Sequence, residues 1–266
     1  MSNPILICED NISIAWAKAL REVRADQARS LCVSITGFEE GEVLEDENLR
    51  DLLDNLLRSK SVISARETSE TIFPYHYWRQ NSPTADELYT WYLERYLPRH
   101  RVRVRKVARG NTMETYFERL IAYRGFKVNN DSSVSVNIIN QLQRIINVYT
   151  HYSRQNRSPS PSKFIATCLN PSVDNTNLEP YFKFPCLQQV GFSMSEGAVT
   201  VSGYYTIQYL MKRGYGNYLG LCYLGKFMSK ETGLPLRRVN CFVGNPRPDN
   251  FTRAEIAPIL EAIPRD

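Results

Sequence analysis

The 266-residue sequence predicts an α+β fold in a single domain over residues 1–266, with a mixed or mostly antiparallel sheet flanked by helices. Three observations predict it. Runs with the 3.6-residue period of amphipathic helices are interspersed with short β-branched runs. Two such β-branched runs are joined at Glu196 and Gly197, a hairpin signal. The composition, 42% apolar and 23% charged, suffices for one large core, and no apolar stretch reaches the roughly 18 residues of a membrane span.

The elements follow in chain order. "DNISIAWAKALREVRA" puts Ile12, Ala15, Trp16, Ala19 and Val23 on one helical face, with Asp10 or Asn11 as N-cap. "ARSLCVSITG" reads as a strand ending at Gly37, and "DENLRDLLDNLLRS" as an amphipathic helix. "TADELYTWYLERYL" is a helix opened by a Thr84/Glu87 capping box. In "RHRVRVRKVAR" (99–109) arginine alternates with valine, which predicts an extended segment with one cationic face. Such a segment reads more readily as a charged edge strand or loop than as a phosphate-binding strip.

Farther on, "VNIINQLQRIINVYTHY" places Ile138, Ile139, Leu142, Ile145, Ile146 and Tyr149 on one helical face. A polar hinge, "SRQNRSPSPS", separates it from a strand "KFIATCLN", a long loop "PSVDNTNLEPYFKFP" and the hairpin of "CLQQVGFSM" with "AVTVSGYYTIQYL". Asn217 is expected to open the last long helix, which ends at Gly233, before a short strand "RRVNCFVG". No internal repeat is visible.

Charge and cysteine usage narrow the function. The net charge of +5 favours anionic ligands such as nucleotides without implying nucleic acid. The six cysteines are widely spaced with no C-x-x-C pair, so they read as reduced thiols, and with only three histidines no metal site is expected. The N-terminus lacks a basic segment followed by an apolar one, so the expected location is cytoplasmic, away from membranes.

Several segments in series resemble the thymidylate synthase and pyrimidine hydroxymethylase superfamily. "ISIAW" is similar to its first helix, "NQLQRIINVY" to its D-Q-L-x-x-V-I helix, "SKFIATCLNP" to its R-R-I-I-x-S-x-W-N-P strand, and "FPCLQQVGFSMSEG" to its P-P-C-H-x-x-x-Q-F-Y-V-x-x-G segment. Cys186 and Asn217 are 31 residues apart, the spacing the family shows between its nucleophilic Cys and base-binding Asn. Gly197 and Tyr204 fall in the same register. The likeness is best over 138–245 and weaker over 1–130.

The resemblance implies a transferase, a methyltransferase or hydroxymethyltransferase, that moves a one-carbon unit to C5 of a pyrimidine nucleotide, nucleoside or related heterocycle. Its donor would be 5,10-methylenetetrahydrofolate and its state a homodimer. It makes Cys186 the nucleophile that adds to C6. Asn217 would hold the base, since an amide both donates and accepts. Glu70 would be the general acid/base, with Glu67 as the other choice, and Tyr116 would stand near the Cys.

Departures from the family pattern leave a second reading open. Leu187 stands where the family has His, "YTIQY" (205–209) replaces a Q-R-S-x-D run, and Ser162 and Lys163 replace an Arg pair. Lys163, Lys212, Arg213 and Arg247, or the arginines of 101–109, are the cations left to meet a phosphate. The alternative is a catalytically inactive member that serves as a nucleotide-like ligand-binding or protein-interaction scaffold. Cys186 is then an ordinary core thiol and Asn217 a helix cap. RNA binding through the 101–109 arginines is the weakest reading. The tyrosines at 204, 205, 209, 215 and 218 allow either ring stacking on a ligand or packing at a dimer interface.

Overall fold

Alternating burial along the strands builds the centre of the molecule. The computed structural model describes residues 3–26, 29–107 (backbone only from 103), 114–157, 159–174 and 184–264. Strand β1 (Ile5–Glu9) passes through helix α1 (Ile12–Ala25) to β2 (Leu31–Ile35), a crossover that leaves the two strands parallel. Asn11 caps α1, its side-chain oxygen accepting from Ser13 N at 2.9 Å. After a small hairpin, β3 (Phe38–Glu39) with β4 (Glu42–Val43), comes α2 (Glu47–Ser59), which buries Leu49, Leu53 and Leu57.

Four helices follow: α3 (Ala65–Glu70), α4 (Tyr75–Asn81), α5 (Ala85–Trp91) and α6 (Leu97–Val107). The Thr84/Glu87 capping box opens α5 as its sequence predicts. A π-helical turn, Tyr92–Tyr96, carries the chain from α5 into α6 without a break. Segment 99–107 is therefore helical, not the extended strand expected from its Arg/Val alternation. The helix already running dictates the backbone there. Residues 108 and 109, and the side chains from 103, lie outside the described residues.

Next come α7 (Tyr116–Ile121) and a two-stranded ribbon of β5 (Tyr123–Val128) and β6 (Val134–Ile139). Ile138 and Ile139 thus belong to a strand rather than to the following helix α8 (Gln141–Ser153), which Asn140 caps. The helical face of α8 keeps Leu142, Ile145 and Ile146 buried. Strand β7 is only Ile165–Thr167, and the loop after it begins with one helical turn, α9 (Pro171–Asp174); positions 175–183 of that predicted loop, like Ser158 of the hinge, lie outside the described residues.

Strands β8 (Leu187–Ser193) and β9 (Val199–Tyr209) form the expected hairpin, with Glu196 and Gly197 both at positive φ in the turn. A second π-helical turn, Leu210–Gly214, leads into α10 (Tyr215–Thr232), so Asn217 is the third residue of this helix and not its cap. Gly233 ends α10 at φ 71°. Strand β10 (Leu236–Arg247) is twelve residues long, where a short strand is expected, and α11 (Arg253–Glu261) closes the chain.

The result is an α+β fold with a six-stranded mixed sheet in the order β1-β2-β10-β9-β8-β7. One face is buried: Val33, Cys241, Val201 and Val190 lie under α10 and α1 in a single apolar core. Helix α10 is buried all round over residues 215–222 and fits between the sheet and α3. Gly216 makes that fit possible, because a Cβ there would stand 2.5 Å from Ala65 O and Thr68 Cβ. Among the described residues no helix covers the other face of the sheet over the row Leu6, Cys32, Phe242, Tyr204 and Gln189, which runs across five strands in register. Leu6, Phe242 and Tyr204 are exposed on it. Among the described residues no helix is long and apolar enough to cross a membrane.

Candidate functional site

Where β9 ends and α10 begins, the sheet opens into a cavity of about 550 Å³. Cys186, Tyr116, Asn217, Lys212 and Arg213 all line it, although they come from three separate parts of the chain. Lys163, Arg247 and Glu70 do not.

Cys186 sits half-buried just before β8, its main chain fixed to β9 by Thr206 N donating to Cys186 O at 3.1 Å. Gln188 Nε2 donates to Pro185 O and stiffens the same turn. Tyr116, the first residue of α7, brings its hydroxyl to this point, where it accepts from Leu187 N at 3.4 Å and reaches the Cys186 thiol. Burial raises the Cys186 thiol, and the Arg213 cation and Tyr116 hydroxyl oppose that without cancelling it. Burial likewise raises the Tyr116 phenol, so this hydroxyl remains a donor.

Two amides form part of the wall. Asn217 is 5% exposed, and its side chain makes no hydrogen bond to another described residue. Gln208 donates through Nε2 to the Cys241 sulfur at 3.7 Å, and its Oε1 is buried without a partner. Leaving a buried acceptor such as Gln208 Oε1 without a partner costs about 1–3 kcal/mol, while the Asn217 amide lines the cavity, where a ligand can pair with it.

The cations ride on the π-helical turn 210–214, a kind of helix distortion common at functional sites. Trp16 Nε1 donates to Leu210 O at 2.8 Å, and the Asp249 carboxylate accepts from Met211 N at 2.9 Å and Lys212 N at 3.0 Å. These contacts hold the turn from both sides. Lys212 Nζ lies 3.6 Å from Asp249 Oδ1, so part of its charge is answered within the protein. Arg213 donates to Thr68 Oγ1 at 3.3 Å, a neutral partner that leaves its charge available to the cavity.

Of the described lining residues Glu114 is the one carboxylate. It lies 3.4 Å from Arg119 Nε, while Asp174 holds the other two nitrogens of that guanidinium at 2.7 and 2.8 Å. Glu70 is used elsewhere: its carboxylate accepts from His76 N at 3.0 Å at the start of α4, and burial raises its pKa. Glu67 completes the capping box of α3 with Ser64. Lys163 lies in a 3₁₀ turn with its ammonium 5.4 Å from the Tyr152 ring centre, and Arg247 is exposed at the end of β10 beside Tyr209.

The clustered tyrosines divide by position. Tyr209 lines the cavity, Tyr204 lies on the uncovered sheet face, and Tyr205, Tyr215 and Tyr218 are buried. Glu114, Gln208 and His100 are lining residues that the sequence alone does not single out. Gln208 stands inside "YTIQY", a segment conspicuous in the sequence for the charges it lacks. Among the described residues no three His, Cys, Asp or Glu side chains gather to hold a metal ion. No protein-family model matches the chain, and no curated protein matches it.

Proposed function

We propose that the protein is a thymidylate-synthase-like transferase that moves a one-carbon unit to C5 of a pyrimidine nucleotide or related heterocycle. The observation that carries this reading is the meeting of Cys186, Tyr116, Asn217 and Arg213 in one cavity. The Cys186 thiolate adds to C6, and Tyr116 and Arg213 favour the thiolate by hydrogen bond and charge. Asn217 presents its amide to the C=O and N–H edge of the ring. Arg213, with Lys212 behind it, meets a phosphate or other anion, which supplies cations where the family arginines are missing. 5,10-Methylenetetrahydrofolate would supply the one-carbon unit, and Phe184 and Tyr209, both about half exposed at the cavity, would give its ring an apolar surface. The uncovered face of the sheet is the surface for a second copy of the chain.

One observation favours the inactive scaffold: burial dominates at the Cys186 thiol, which keeps it protonated. Intact-protein mass spectrometry after incubation with 5-fluorouracil and its nucleosides and nucleotides separates the two. The enzyme reading expects a covalent adduct that Cys186→Ala abolishes. Ligand-induced thermal stabilisation with no adduct from any compound makes the scaffold the correct reading.

A further inference from the structure

We propose that Glu114, and not Glu70, is the general acid/base of this cavity, passing a proton to and from C5 of the ring once Cys186 has added to C6. The inference rests on the thymidylate-synthase-like reading and deepens it.

Addition of a thiol across the C5=C6 bond needs two partners. The sulfur forms its bond to C6, the π pair of C5=C6 moves onto C5 and O4, and a proton must then be delivered to C5. The reverse step needs the same group as a base. The group has to stand in the cavity, be able to hold a proton, and be fixed relative to the sulfur.

Glu114 is placed for this role. It is the one carboxylate among the described lining residues. It stands two residues before Tyr116, across the N-cap Thr115, so the start of α7 delivers both the carboxylate and the hydroxyl that reaches Cys186. It stands beside Arg119. That guanidinium is fixed by Asp174 and by donation to Cys168 O at 2.7 Å, which leaves Nε, buried with no hydrogen-bond partner, 3.4 Å from a Glu114 carboxylate oxygen. Since Asp174 already balances the Arg119 charge, Glu114 is oriented by the guanidinium without being its only counter-ion. Glu70, in contrast, is committed to the first turn of α4 and lies outside the cavity wall.

The test uses the full chain and the 5-fluoropyrimidine that gives the adduct with the wild type. Adduct formation joins sulfur to C6 and puts the thiol's proton on C5, so nothing is oxidised and no co-substrate is needed. Two quantities are read: the rate of adduct formation by mass spectrometry, and the Kd of the unfluorinated compound by thermal titration. Glu114→Gln is expected to slow the adduct by at least about 100-fold while Kd changes less than about threefold, and Glu114→Asp to restore part of the rate. A Glu114→Gln rate within about threefold of wild type overturns the proposal. So does a loss of rate in Glu70→Gln or His100→Asn while Glu114→Gln keeps it, or a Kd for Glu114→Gln weakened as much as its rate, which makes Glu114 a binding group. Absence of any adduct in the wild type refutes the transferase reading itself, a different outcome from a failure confined to Glu114.

Discussion

Cys186 is pulled in two directions. Removal from water favours its neutral thiol, while the Arg213 cation and the Tyr116 hydroxyl favour the thiolate, and the first effect is the larger. Its folded pKa therefore lies above the ordinary thiol value of about 8.5. Alkylation by iodoacetamide, followed at Cys186 by peptide mapping, is expected to keep rising above pH 9. Arg213→Ala removes the favourable charge and slows alkylation further at any fixed pH. A rate that levels off below pH 8 contradicts this account, as does an unchanged rate in Arg213→Ala. The sign for stability follows from the same shift: whatever the buried thiol contributes is present below its unfolded pKa and is lost as pH rises through its folded one.

At the scale of elements, the cavity depends on how the π-helical turn 210–214 and the start of α10 are held. Asp249 satisfies two main-chain N–H groups of the turn, and deleting an acceptor from buried donors costs about 1–3 kcal/mol. In a chain of this size about 1 kcal/mol moves Tm by roughly 2–4 °C. Asp249→Ala is thus expected to lower Tm by several degrees and to weaken anion binding by Lys212 and Arg213. Asp249→Asn is expected to lose less, because burial raises the Asp249 carboxyl pKa and a neutral acceptor suits the position. Equal losses in the two variants, measured by calorimetry, contradict that ordering. Gly216→Ala forces a Cβ against Ala65 O and Thr68, an overpacking that costs about 1–3 kcal/mol and disturbs the residue that pairs with Arg213.

At the scale of the whole molecule, the described residues cover the sheet on one face only. Leu6, Phe242 and Tyr204 stand in one row across it, the kind of exposed apolar patch that marks an interaction surface. Sedimentation is expected to find a homodimer for the wild type and a monomer for Phe242→Asp, with the monomer still folded because Phe242 lies outside the core. A monomeric wild type at micromolar concentration rules out this face as a dimer interface.

The sequence by itself determined what local chemistry and short-range period control. The Asn11 cap, the Thr84/Glu87 capping box, the leucine stripe of α2, the β8–β9 hairpin and the Gly233 stop all follow from residues within a few positions of one another. Cys186 and Asn217, 31 residues apart in the sequence, line one cavity. Period misled where the chain was already committed. Helix α5 runs on through 99–107 despite its Arg/Val alternation, and Ile138 and Ile139 pair in a ribbon although they fit the face of α8. Only the tertiary structure decided which charged groups meet. Glu70 and Glu114 look alike in the sequence, yet one serves the first turn of a neighbouring helix and the other faces Cys186's cavity. The physical reason is that a carboxylate's role depends on where long-range packing places it. Here that placement is set by Arg119 reaching Asp174, 55 positions along the chain, and by Trp16 gripping Leu210 from 194 positions away.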